Sequence, residues 1–203
     1  MISWVIRKDE YLAIAREQHP AVILTTKDAW IWKAIAAVVM CLTFGGIGYR
    51  EFLENYATTI GPVQAYPRQW SKLSRRLLVH ECRHTAQCAW FGWAVPILGW
   101  FFPKLRPWVG LPLYGLAYLL IYLPLGLAFV RLCFEVDADR ASYARMLIDG
   151  DSADRVLLRA RAFAAKVCGG NYGWAWPKKW GLARFVKAAE EAIADYERAQ
   201  AAA

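Results

Sequence analysis

Helical periodicity dominates this chain. From Ser71 to Gly92, the residues Leu73, Leu77, Leu78, His80, His84, Gln87 and Cys88 recur at the three-four spacing of one helical face. Ser71 is the expected N-cap and Gly92 the expected stop. Arg131 to Ile148 reads as a second helix ended by Gly150. Asp151 or Ser152 opens a third, running to about Cys168 before Gly169-Gly170. A final amphipathic helix is expected over 182–199. Near the start, Tyr11, Leu12, Ile14 and Ala15 fit a short helix capped by Asp9 and stopped by His19-Pro20, with a connector up to residue 29. Residues 57–67, ATTIGPVQAYP, are rich in β-branched side chains around Gly61-Pro62 and predict an edge strand or a hairpin.

Apolar runs separate these segments. Ala34 to Tyr49 is uncharged but shorter than the ~20 residues a membrane span needs. Trp30 and Trp32 flank it as interface aromatics would, and Lys33 could snorkel, so a membrane-embedded helix and a buried core helix both fit. Residues 93–103 are apolar again. After the basic link at 104–106, the uncharged run from Pro107 to Val130 is long enough to span. Pro107, Pro112 and Pro124 predict that it is kinked or broken, and an apolar hairpin entering the bilayer is the preferred reading over a buried segment. The division expected from these runs is 1–56, N-terminal helices with one apolar segment, and 57–203, a second domain carrying the apolar insertion 93–130.

Composition narrows the setting. Hydrophobic residues make up 58% with 11 Trp, yet 21% are charged, so a plain bundle of membrane spans is excluded. The net charge of +8 is spread along the sequence with no Lys/Arg block and no nucleic-acid motif. An anionic membrane surface is therefore the expected contact, and nucleic acid is not. Five Cys, an odd number without CxxC spacing, predict reduced thiols rather than a disulfide framework. The first residues mix acidic and basic side chains before any apolar run, unlike a signal peptide. Together these predict a membrane-associated protein with its catalytic part in the cytoplasm; a soluble or virion-associated protein is the alternative.

The chemistry lies in His80-Glu81-Cys82-Arg83-His84, the H-E-x-x-H pattern on a helix. Two His at i and i+4 share a face and can share one zinc ion. Glu81, beside the first His, is placed to act as general base. A third ligand must come from elsewhere, and Glu135 on the Arg131–Ile148 helix would complete a His₂Glu set. Asp139 stands one turn on and would accept the free N–H of a ligating His, while Asp137 points to another face as a structural or solvated residue. Tyr143 and Tyr172 are candidate oxyanion stabilisers. Cys82 and Cys88 lie nearby, with a buried free thiol as the default. Trp174, Trp176 and Trp180 form an aromatic group suited to a membrane anchor, a lid or packing.

H-E-x-x-H followed by a distal E-x-x-A-D helix resembles the gluzincins of the HtpX-like and CAAX-prenyl-protease-like membrane peptidases. That resemblance implies Zn²⁺ held by His80, His84 and Glu135, Glu81 as the base and Asp139 as the supporting carboxylate. Those families also carry hydrophobic segments between the two motifs, as this sequence does at 93–130. Thr58-Thr59-Ile60-Gly61, Tyr66-Pro67 and Gln87 are similar to small bacterial and phage-encoded metallopeptidases, in which such a strand lines the substrate cleft. The resemblance covers roughly residues 56–145. The fold it implies is mainly α with a small β region: a zincin-like core with an apolar helical hairpin insertion. The expected function is a zinc-dependent endopeptidase acting on a protein or peptide at a membrane. The alternative is a non-catalytic, zinc-stabilised structural or interaction protein, such as a virion or secretion-machine component.

Overall fold

The computed structural model describes residues 5–42, 45, 47–92, 100–119, 128–169 and 177–202. Among them the protein is mainly helical with a small sheet region. Helix α1 (Lys8–Gln18) ends where His19 turns extended before Pro20. Its cap is Arg7, without a side-chain hydrogen bond, and Asp9 lies in the first turn rather than at the cap. There its charge still favours the helix N-terminus.

Strand β2 (Ile23–Thr26) forms within the segment expected to be a connector. It pairs in parallel with β4 (Val63–Tyr66), which pairs antiparallel with β3 (Thr58–Ile60), giving the order β2-β4-β3. The expected hairpin and the expected edge strand are thus both present. Gly61 turns the hairpin at φ 60°, a left-handed conformation that favours glycine, and a Cβ there would meet the Pro107 carbonyl at 3.1 Å. Because β2 belongs to residues 1–56, the division after residue 56 falls within a shared sheet. Val5–Ile6 (β1) pairs antiparallel with Leu73–Ser74 (β5).

That pairing delays the central helix. Residues 71–74 do not open α4 (Arg75–Gly92); Ser74 Oγ, not Ser71, caps it by accepting the Leu77 N–H at 3.1 Å. Helix α2 (Trp30–Leu42) turns Trp32 and Ala36 into a core with Phe52 of α3 (Tyr49–Asn55) and Ala65 of β4. Its other side leaves Trp30, Ile31 and Val38 exposed, so it has a core face and an apolar outer face.

A 3-10 turn at Pro103–Leu105, α5 (Arg106–Val109) and α6 (Leu111–Leu119) follow. Pro103, Pro107 and Pro112 sit at the starts of these short elements, where a missing N–H costs nothing. No helix among the described residues is long and apolar enough to cross a membrane. Pro124 and the runs 93–99 and 120–127 lie outside the described residues. Helix α5 lies backbone to backbone on the end of α4: a Cβ on Gly110 would collide with the Cys88 carbonyl, and one on Gly92 would fall 2.5 Å from the Arg106 carbonyl.

The C-terminal part packs α7 (Ala128–Ile148), α8 (Ala153–Val167) and α9 (Lys178–Ala201). Ser152 caps α8, and α9 begins directly after Pro177, four residues before the expected start. Val156, Ala160, Ala164 and Val167 of α8 are fully buried against Leu132 and Tyr143 of α7 and Phe185 and Ala189 of α9. Alanines at those contacts let the helices approach closely. A second core joins α1 to α4 through Tyr11, Ala15, Leu78 and Cys82. All five cysteines are free.

Lys27, at the end of β2, is 3% exposed. Its ammonium donates to the Phe52 carbonyl at 2.9 Å and to Thr58 Oγ1 at 2.6 Å, and lies 3.7 Å from the Phe52 ring centroid. Burial pulls its pKa from the ordinary 10.5 down to about 7, with the Glu81 charge acting weakly the other way. Between those two values the unfolded state holds a proton that the folded state has released. The Lys27 contribution to stability therefore rises with pH, by about 1.4 kcal/mol per unit. The difference in urea-denaturation stability between wild type and Lys27→Met should move in favour of wild type from pH 7 to pH 9. A difference that stays constant would show that Lys27 keeps its proton in the folded protein.

Candidate metal centre

The face of α4 that the sequence pattern marks out looks onto α7. His80 and His84 are one turn apart on α4, and their Nε2 atoms are 3.1 Å from each other. Glu135 on α7 brings Oε2 to 3.6 Å from His80 Nε2 and 3.8 Å from His84 Nε2. One ligand atom from each of the three residues lies within 4.8 Å of the other two. His84 and Glu135 are buried and His80 is half-buried.

Each imidazole is held from behind. His80 Nδ1 donates to Asp139 Oδ1 at 3.1 Å, and the Tyr143 hydroxyl donates to the other Asp139 oxygen at 2.9 Å. His84 Nδ1 faces Gln87 Oε1 at 2.9 Å. The Gln87 amide nitrogen is committed to the Phe134 carbonyl at 3.0 Å and to Asp137 Oδ2 at 2.9 Å, so its oxygen must face the histidine and accept. Arg83 grips Asp137 through two nitrogens at 2.7 and 2.9 Å. Both histidines therefore donate through Nδ1, and in the neutral form each turns its Nε2 lone pair toward Glu135.

Lone pairs converging beside a buried carboxylate call for a shared cation. Burial alone would lower the His80 pKa, but Asp139, Glu135 and Glu81 raise it well above the ordinary value, so a proton is attracted to this spot. Burial pushes the Glu135 carboxyl up; the His80 hydrogen bond and the charges of His84, His80 and Arg131 outweigh it and hold the carboxyl at about 2. Two imidazoles and a deprotonated carboxylate form the donor set of a three-ligand zinc site, with the back N–H of each His engaged as metal-ligating His residues usually are. The residues fit the ion.

Glu81 is 6% exposed and accepts a hydrogen bond from Thr59 Oγ1 on edge strand β3 at 2.5 Å. Tyr143 is fully buried behind His80 and supports Asp139. Its donor is spent there, so the structure gives it a supporting position instead of the expected one facing an oxyanion. Tyr172, with Trp174 and Trp176, lies outside the described residues. The Cys88 thiol donates to the Pro107 carbonyl at 3.1 Å, and burial pushes its pKa up to about 12, so it offers no thiolate.

Several roles were not evident in the sequence. Asp137, expected to be structural or solvated, ties Arg83 to Gln87 and so orients His84. Tyr114 brings its hydroxyl to 3.4 Å from His84 Nδ1. Gln87 was visible at i+3 from His84, but its function depends on α7. Compared with protein families, curated proteins and solved structures, the protein matches none.

Replacing Asp139 or Gln87 with Ala is expected to weaken zinc binding about 10–100-fold, measured by competition with a fluorescent chelator. Tyr143→Phe should weaken it less, because Asp139 keeps its contact with His80. Unchanged affinity in both Ala variants would mean that the rear hydrogen bonds do not set metal binding.

Proposed function

We propose that this protein is a zinc-dependent peptidase with a zincin-like core, ligated by His80, His84 and Glu135, with Glu81 as its base. The observation that carries this reading is the convergence of two Nε2 lone pairs on a buried carboxylate, with Glu81 one residue from the first ligand. Bound there, zinc would polarise a scissile carbonyl and lower the pKa of a water molecule. Glu81 would take the proton of the attacking water and deliver it to the leaving amine. Thr59 restrains the Glu81 carboxylate through one oxygen and leaves the other for that proton. Asp139 and Gln87 keep the two imidazoles in the ligating tautomer. Edge strand β3, beside α4, has an unpaired side among the described strands along which an extended peptide could lie.

Glu81→Gln should reduce peptide hydrolysis by at least about 10²-fold while zinc stoichiometry and melting temperature hold. Glu135→Ala should lose zinc. Loss of zinc and of thermal stability in Glu81→Gln, parallel with activity, would favour a zinc-stabilised scaffold. Absence of zinc from folded wild-type protein would remove the enzyme reading.

The proposed setting is a membrane surface. Trp30 is 77% exposed and Phe101 75%, with Trp90 and Trp100 also exposed, on a protein of net charge +8. The protein should float with anionic liposomes, and Trp100→Ser with Phe101→Ser should weaken flotation. Protein that stays at the bottom of the gradient with anionic and neutral liposomes alike would refute membrane contact.

A further inference from the structure

Two cavities share His80 and Glu81 as part of their walls. The first, about 480 Å³, is walled by Ile35, Val39, Phe52, Ile60 and Leu111 and closes on His84 and Glu135. That volume lies in the range of ligand-binding clefts, and the walls offer it aliphatic and aromatic surface. The second, about 460 Å³, is lined by Asp139, Tyr143, Phe163, Arg159 and Lys166.

The two differ in charge. The Arg159 guanidinium lies 5.5 Å from the Phe163 ring centroid, and that ring packs edge-on against His80 at 5.9 Å. Lys166 Nζ lies 4.1 Å from the Tyr56 ring centroid. Among the described residues neither cation forms an ion pair with a carboxylate. Of the two carboxylates lining this cavity, Asp139 is occupied by His80 and Tyr143, and Glu81 accepts from Thr59. The site thus stands between an apolar chamber and a chamber with two cations held over aromatic rings.

Resting on the peptidase reading, we infer that the substrate peptide carries a bulky apolar residue on one side of the scissile bond and a carboxylate on the other. The apolar residue enters between α2 and α6, where burial rewards size. The carboxylate meets Arg159 and Lys166. It is either an acidic side group or the C-terminus of the peptide.

Gly115 of α6 lines the apolar chamber, and a Cβ built on it meets nothing within 4 Å. Gly115→Leu therefore fills the chamber without a clash at its first added carbon, and it replaces a poor helix former. The test uses zinc-loaded Glu81→Gln protein, which leaves peptides intact, and fluorescein-labelled peptides followed by anisotropy. The peptides carry Leu or Ala on one flank and Glu or Lys on the other, in both orders. A second set ends in a free or an amidated C-terminus, and one Ala peptide is myristoylated.

Leu should bind at least about tenfold tighter than Ala. Glu, or the free C-terminus, should bind several-fold tighter than Lys or the amide, with the gap closing in salt. Gly115→Leu should abolish the Leu preference at unchanged zinc content and melting temperature. Arg159→Glu with Lys166→Glu should reverse the charge preference. Equal affinities across the panel with zinc bound would overturn the two-sided specificity and leave the metal centre standing. Tighter binding of the myristoylated peptide than of the Leu peptide would overturn the assignment of the chamber to an amino-acid side group. Failure to take up zinc would overturn the metal reading and this inference with it.

Discussion

The contact between α4 and α7 governs this structure, and at its centre it is polar. His80 meets Asp139, Gln87 meets the Phe134 carbonyl and Asp137, Arg83 meets Asp137, and Ser142 Oγ donates to the Arg76 carbonyl. The apolar cores lie to either side. One joins α1 to α4, and the other joins α7 to α8 and α9. Each of the two helices thus has an apolar face turned away from the seam and a polar face within it. Buried polar groups are costly unless satisfied, so the seam tolerates little change of register. A cation between His80, His84 and Glu135 would offset the remaining buried charge and cross-link the helices.

The network also decides which nitrogen faces the carboxylate. Glutamine can turn its amide either way, but two acceptors fix the Gln87 nitrogen, and its oxygen then fixes the His84 proton. Asp139 does the same for His80 by accepting its Nδ1 proton. Two unrelated devices impose one tautomer, which leaves both lone pairs on the same side. A metal would find them already oriented, without the entropy cost of arranging flexible ligands.

The site was legible in the sequence where spacing along one helix decides proximity. His80, Glu81 and His84, and the i, i+4 pair Glu135 and Asp139, each follow from helical periodicity alone. Pairing the two helices required the chemical argument that a zinc site begun by two His needs a third ligand. What stayed hidden depends on register between elements distant in sequence. Asp137 reads as structural or solvated, and its partners Arg83 and Gln87 emerge only when α7 is laid against α4; Thr59 reads as a strand residue until β3 is laid beside Glu81. The strand Ile23–Thr26 was missed because four residues cannot establish alternation and its partner lies beyond two helices. Ser71 reads as the cap because nothing local announces that Leu73 and Ser74 pair with Val5 and Ile6.

The apolar run after residue 100 illustrates how one pattern can satisfy a different demand. Its uncharged part, Pro107 to Val130, suggests a bilayer hairpin; among the described residues Pro107 and Pro112 lie at the starts of short helices, and Gly110 admits α5 against the backbone of α4. That close approach carries α6 over the histidines, where Tyr114 reaches His84 and Leu111 and Gly115 wall the apolar chamber. Glycine and proline decide this outcome more than hydrophobicity does. Any larger residue at Gly110 would force α5 away from the backbone of α4. The exposed Trp100, Phe101 and Trp108 then form the outer surface of a segment whose inner surface belongs to the site. The same short helices thus carry exposed aromatic residues on one face and line the apolar chamber with the other.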